Sequence, residues 1–585
     1  MNSRGPYRKY LQDAREEVPA TTIQSRRRNE IQAELIFNNQ EENNAVENII
    51  GMHDEALQQF EEINEHSSID ENNSSDDEIY NNQVNNANDE ENIFDDAHGE
   101  DGNNEEMRQP IYENCPLTQD ESDLLIMSFI IRHGLTDLAF DDLLNLINCH
   151  LPITLNFSRH LFLKKFPKTA NMKTIFYCPE CFVELNFEQM THINCTSCNT
   201  WYMRIDLRGG HYFVHLPLKD QLRNLLSGPL FYKLQSSCAE QSSILSDITS
   251  GESYRRLRRN GVIRDYDITL QWNSDGVDTF KSSKVSMCPI QVAINELPYC
   301  LCKENILLSS IWCSAKKPVM DLFLKPFVDD LKDLHENGFH CLPPGLDAPV
   351  HVRVHTIVAP VDSVARCALQ NVHQFNGKFG CSFCLCPGDR VKVGNGYARV
   401  YLEKGKARTK NQHLKDSQKA VRKKKVVRGV KGMSHLMFVP GFDIIQSFPP
   451  EYMHSILLGV VKSFIIVWFT NCHNPSYIGT KKDIFDKKLT SIRPPSEITR
   501  TPRSINDIKV WKASELKNFL LYYSMPCLKN VLSKPYYKHW SLLVFAIYKF
   551  LCEKITNEDY VQAERALQIF GQLGQHFLMR VIIMY

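Results

Sequence analysis

Ile268-Thr269-Leu270-Gln271-Trp272-Asn273-Ser274-Asp275-Gly276-Val277 alternates apolar side chains (Ile268, Leu270, Trp272) with polar ones (Thr269, Gln271, Asn273). That period of two predicts a half-buried β-strand. It carries Asp275 out on the polar side at the strand's end, where a carboxylate held on rigid backbone suits a divalent metal. A second reading of the same residues is a two-residue Asp-Gly hairpin turn.

Downstream, Lys284 to Ile294 and Ile306 to Trp312 are apolar and β-like, and helical periodicity runs from about Pro318 to Asn337. Pro326 is expected to kink that helix or split it. A further strand, His351 to Val361, places Val352, Val354, Thr356 and Val358 on one side and delivers Asp362 at its end. Strands, a helix and another strand make an α/β pattern. Asp362 equally suits the N-cap of a helix beginning at Ser363. A third acid lies in Phe448-Pro449-Pro450-Glu451-Tyr452-Met453-His454. The prolines start a helix, and Glu451 and His454 share one face. An acid in a first turn also stabilises the helix dipole by roughly 0.3–1 kcal/mol with no further role.

Upstream of the strand is a basic run, Arg255-Arg256-Leu257-Arg258-Arg259, which suits nuclear import, phosphate contact or a solvated helix face. Before it, Cys178-Pro179-Glu180-Cys181 and Cys195-Thr196-Ser197-Cys198 form C-x2-C-x13-C-x2-C between β-prone flanks, Thr174 to Tyr177 and Trp201 to Ile205. Two such turns present four thiolates to one tetrahedral zinc. Thr118 and Glu121 make a capping box ahead of a helix over Leu124 to Arg132; Gly134 ends it, and a second helix spans about Asp137 to Ile147. From Glu41 to Met107 there is no Lys or Arg, and Asp, Glu, Asn and Ser dominate, the composition of a disordered acidic linker.

Length and composition bound the rest. A chain of 585 residues needs several domains, and 43% hydrophobic with 23% charged residues is ordinary for a folded protein. The net charge of -2 hides its segregation. The N-terminus lacks an apolar signal core, so the 19 cysteines read as metal ligands or core residues in a reducing compartment. No run reaches membrane-spanning length; Ile456 to Phe469 is short and contains Lys462. A second thiol-rich turn, Cys381-Ser382-Phe383-Cys384-Leu385-Cys386, precedes a basic span from Lys404 to Lys431 that is too polar for a core and suits phosphates, an import receptor or a disordered insertion. Cys381 and Cys384 with His413 form part of a second zinc site with no evident fourth ligand, or are core residues. From 490 onward the chain reads as helical, with Phe519 to Tyr523 and Tyr537 to Leu551 apolar, and it ends on Val581-Ile582-Ile583-Met584-Tyr585.

In order and spacing these stretches resemble the CACTA (En/Spm-type) DNA transposases and the transposon-derived proteins related to them. The likeness covers most of the chain from about residue 108, with Tyr7-Arg8-Lys9-Tyr10-Leu11. It rests on Ser274-Asp275-Gly276, on Gln374-Phe375-Asn376-Gly377 leading to Gly380-Cys381-Ser382-Phe383-Cys384, and on Arg408-Thr409 with His413. Above all it rests on Pro449-Pro450-Glu451-Tyr452-Met453-His454 with Leu458-Gly459-Val460. The resemblance implies an RNase H-like core whose acidic triad, Asp275, Asp362 and Glu451 with His454 beside it, binds two Mg²⁺ or Mn²⁺ ions. Carboxylates about 4 Å apart repel by about 4 kcal/mol at an effective dielectric of about 20, which cations between them relieve. It also implies DNA as partner (transposon terminal repeats), self-association as an option, no membrane, and a nuclear site of action. Glu451 stands where relatives often carry Asp, and Ser363-Val364-Ala365-Arg366 replaces an expected Pro-Ala-Arg-Ala. The helical C-terminal part ends early, as expected of a decayed or truncated element.

The expected organisation is a short basic segment (1–40), the acidic linker (41–107), a helical hairpin (108–170), a zinc ribbon (171–216) and a basic connector (217–264). An RNase H-like core (265–470) with a basic, Cys-containing insertion at about 381–440 follows, then a helical region (471–585). The function expected is Mg²⁺-dependent phosphodiester cleavage and strand transfer. The competing expectation is a domesticated zinc- and DNA-binding regulator without catalysis, and a third is a protein-interaction scaffold.

Overall fold

The computed structural model describes residues 110–577 apart from 114, 154–157, 166–170, 189, 235–243, 279–284, 394–395, 402–404 and 473. The basic segment, the acidic linker and the last residues, Val581 to Tyr585, lie outside the described residues. The chain divides into two compact units, Ser67–Asn171 and one containing Met172–Tyr585.

In the first unit, Thr118 and Glu121 cap α1 (Gln119–His133) reciprocally, and Gly134 ends it at φ 56°. Helix α2 (Asp137–His150) follows, and α3 (Arg159–Lys165) joins the expected pair as a third helix. Ile126, Phe140, Leu144 and Phe162 make its small core.

The second unit is mixed α/β. Its strands are β1 (Lys173–Tyr177), β2 (Glu184–Leu185), β3 (His192–Asn194), β4 (Trp201–Met203), β5 (Tyr212–His215), β6 (Ile268–Ser274), β7 (Val277–Asp278), β8 (Ser286–Ile294), β9 (Leu307–Ser314), β10 (Phe339–Cys341), β11 (Val350–Val352), β12 (Val354–Val358), and the hairpin β13 (Asp389–Val393) and β14 (Gly396–Val400). The central sheet runs β12-β6-β8-β9-β5-β1-β2, with β7 also on β8. The pairs β6–β8 and β8–β9 are antiparallel, whereas β12 returns parallel to β6. Between β9 and β12 runs α4 (Met320–Glu336), whose Phe323, Phe327, Leu331 and Leu334 are buried in the sheet's core. Pro326 does not split this helix. Buried side chains on both sides of the proline hold the two halves in one core.

Strand β6 departs from the half-buried expectation. Thr269, on its polar side, is fully buried, because Glu296 and Asn295 satisfy its hydroxyl and Glu296 accepts its N–H. The strand from 351 breaks in two at Arg353: β11 pairs with β10, and only β12 joins the main sheet. Strands β1 and β5 extend the same sheet, so the ribbon segment is continuous with the core. Trp312 of β9 stacks on Tyr177 at 4.8 Å and on Phe213 at 5.6 Å, which seals that seam.

The basic span is folded over its described residues. Thr409 caps α5 (Lys410–Lys423), which buries His413, Asp416, Ser417 and Ala420 at helical spacing. Asp416 is buried and pairs through both oxygens with Arg428 at 3.0 and 2.5 Å, so a stripe of polar residues is buried where none was expected. Farther on, Met453–Val461 is a π-helix that continues into α6 (Lys462–Thr470). Together they are long and apolar enough to cross a bilayer, contrary to the sequence expectation. Here Leu457, Val461, Phe464, Ile465 and Trp468 instead join one apolar cluster with residues as far as Leu573, crossing the expected boundary at 470. Trp468 meets Trp540 of α7 (Lys534–Phe550) edge-on at 4.8 Å, and α8 (Asn557–Phe577) packs against α7.

Candidate functional site

The four ribbon cysteines come together as the spacing demands. Their Sγ atoms all lie within 4.8 Å of one another, and Cys178 and Cys198 are 3.6 Å apart. Tetrahedral zinc with bonds of about 2.3 Å requires S–S edges of about 3.8 Å, so the donor set fits the ion. Both turns are built alike. Phe182 N–H donates to Cys178 O and Asn199 N–H to Cys195 O, and Phe182 (φ 58°) and Asn199 (φ 57°) take the left-handed conformation at matching positions. A phenylalanine there is strained, so the pull of the cluster exceeds its local preference. Burial raises the Cys178 thiol, but the Tyr202 hydroxyl and backbone N–H groups outweigh it and hold it low. The side chain and backbone of Thr200 bring Cys198 down to about 6.

Two of the acids, Asp275 and Asp362, follow the paired strands β6 and β12 at one end of the sheet. Register between β6 and β12 runs from Ile268–Val354 to Gln271–Val358, and beyond it Asn273 Nδ2 donates to Pro360 O at 2.6 Å. Asp275 and Asp362 each follow that contact by two residues, so neighbouring parallel strands bring both chains to the same end. Ala359 N–H donates to Ser447 O at 2.8 Å, four residues before Glu451. Trp272 packs against Phe327, Phe442 and Phe448 at 5.2, 6.3 and 6.0 Å, fixing that segment on the sheet.

The side chains are engaged locally. Asp275 is exposed and accepts from Gly276 N–H at 2.7 Å. The hairpin reading of Asp275-Gly276 does not hold. Ser274 faces Ile290 and Val277 faces Met287, one unbroken register, so β7 continues β6 past a gap facing Cys288 and Pro289. Proline has no N–H for the ladder. Asp362 caps Ser363–Leu369, accepting from Ala365 N–H at 2.5 Å. Glu451 accepts from the N–H groups of Met453 and His454 and lies 2.7 Å from His454 Nδ1. Among the described residues, the four thiols are the one set of three or more His, Cys, Asp or Glu with ligand atoms mutually within 4.8 Å.

Cys381 and Cys384 face each other across a different organiser. The buried Arg408 donates through Nε to Cys381 O and Cys384 O, and through Nη2 to Phe379 O and Arg428 O, at 2.8–3.1 Å. His413 does not join Cys381 and Cys384 in a set of ligand atoms mutually within 4.8 Å. Burial, with Arg408 nearby, brings its imidazole down to about 4, and neither ring nitrogen has a partner among the described residues. In the sequence Arg408 stands out as part of the Arg408-Thr409 stretch that carries the resemblance, but nothing there shows that it gathers four carbonyls. The π-helix that follows Glu451 carries no sequence signal at all; such insertions are frequent at functional sites.

The class these features define is a mixed α/β protein with a four-cysteine cluster whose geometry is compatible with zinc, and with two acids following a parallel strand pair at one end. Residues 258–434 match the family described as "Transposase family tnp2". The chain therefore carries a transposase-family domain, which spans the acid-bearing strands and the Arg408 loop. No curated protein matches the chain.

Proposed function

We propose that the protein is a transposase of the CACTA type, with an RNase H-like core, that cleaves and rejoins phosphodiesters at the terminal repeats of its element in the nucleus. The observation that carries this reading is the parallel β12–β6 pair inside the matched stretch, whose two chains lead into Asp362 and Asp275 at the same end. Three antiparallel strands, a crossover helix and a fourth strand parallel to the first is the order expected of an RNase H-like core. Asp275, Asp362 and Glu451 offer the hard oxygen donors that Mg²⁺ or Mn²⁺ takes, and His454 orients Glu451. The ions would activate the attacking oxygen and stabilise the leaving one. Cys178, Cys181, Cys195 and Cys198 would hold a zinc ion, which would brace the adjoining sheet.

The test uses amides. Asp362→Asn retains the cap and Glu451→Gln retains its acceptor oxygen, so loss of function in either reports charge rather than folding. With Mg²⁺ or Mn²⁺, wild-type protein should nick DNA carrying the element's ends, and Asp275→Asn, Asp362→Asn and Glu451→Gln should each lower the rate by at least a hundredfold, about 2.7 kcal/mol in the barrier. Equal rates in wild type and all three variants would remove the catalytic claim. A second reading, a non-catalytic zinc- and DNA-binding regulator, is favoured by the local engagement of each carboxylate. It predicts DNA binding without nicking, unaffected by these substitutions.

A further inference from the structure

One guanidinium beside the acidic end is held as if for a ligand. Arg366 sits one helical turn after Asp362, and its Nε donates to Ser382 Oγ at 3.2 Å. Its Cζ lies over the Phe383 ring, 4.9 Å from the ring centre and within cation–π range, so ring and hydroxyl together restrict the group. Burial lowers its pKa, while Asp362 and the nearby thiols act the other way. Among the described residues neither terminal nitrogen has a hydrogen-bond partner, and neither is sealed in the interior. The nearby Arg408 is the contrast: its donors are spent on four backbone carbonyls.

We propose that Arg366 is a phosphate clamp, presenting its two free Nη groups to a DNA phosphodiester next to Asp362. A rigid, half-buried guanidinium fork matches two phosphate oxygens, and its partial desolvation strengthens the pairing. Phe383, itself partly exposed, is the ring against which the fork rests. The identity of the anion rests on the transposase reading; the open fork does not.

The experiment measures binding of the full chain, loaded with zinc, to a labelled random-sequence duplex over a salt series without added Mg²⁺. Arg366→Gln should weaken binding about tenfold and reduce the slope of log K against log salt by about 0.9, one phosphate contact. Phe383→Leu keeps the charge and should weaken binding while leaving the slope intact. Zinc content and melting temperature should stay at wild-type values in both. If the wild type binds and Arg366→Gln binds with the same affinity and slope, the clamp is overturned and the transposase reading stands. If the wild type fails to bind DNA, both fall. Should Arg366→Gln melt early, Phe383→Leu decides: unchanged affinity overturns the clamp.

Discussion

Replacing Cys195 by Ser tests how far the ribbon depends on metal. The thiol is 0% exposed and one of four that meet. Between Cys178 and Leu207, the fully buried apolar side chains other than cysteine are Leu185, Phe187 and Leu207. At about 1.5–3 kcal/mol each they contribute about 5–9 kcal/mol, an upper bound. A structural zinc site supplies about 10–16 kcal/mol, the larger share. The left-handed Phe182 subtracts a further 1–2 kcal/mol or so. Loss of one thiolate should therefore unfold the segment from 178 to 207, while the sheet held by Trp312, Trp272 and α4 persists. The assay is limited trypsin digestion with zinc quantitation. Wild type should carry about one zinc per chain and resist cutting at the exposed Arg204 and Arg208, whereas Cys195→Ser should be cut there first. Equal resistance in the variant, with no zinc in the wild type, would refute the metal's role in holding this segment.

Two other perturbations read the core. Arg408→Ala strands the carbonyls of Phe379, Cys381, Cys384 and Arg428, and should destabilise the protein by about 3–5 kcal/mol in urea unfolding, with Cys381 becoming reactive to thiol reagents. The buried Glu296 is pushed up to about 7 by burial, so between about 4.5 and 7 the unfolded chain ionises first and stability falls as pH rises. His413 and His539 are brought down to about 4 by burial, so their contribution is lost as pH falls from about 6.5 to 4, the opposite trend. Glu296→Gln should remove the first slope and leave the histidine slope, so its urea midpoint should climb more steeply from pH 5 to 7 than the wild type's. Parallel curves would show that Glu296 does not titrate in this window.

Local rules made several features legible in the chain itself. The thiol spacing sets which four sulfurs can share an ion, because a two-residue gap closes a tight turn wherever it occurs. The Thr118–Glu121 box and Gly134 bound a helix for equally local reasons. The strands around Asp275 and the helix through Pro326 follow from periodicity. What periodicity could not supply is the identity of neighbours. Thr269 looks exposed by pattern, yet Glu296, far along the chain, buries it. The basic span looks unstructured by composition, yet Asp416 and Arg428 pair inside it and Arg408 gathers carbonyls from a distant loop.

Residue types and spacings, then, determined the ribbon, the capped helices, the strands and the acids that end them, since each depends on contacts within a few residues. Only the tertiary structure decided that β12 lies parallel to β6, that the ribbon continues the central sheet, and that Arg366 stands open while Arg408 is spent. Those outcomes depend on which distant groups share a desolvated space, and a partner's burial is a property of the packed chain rather than of any one stretch.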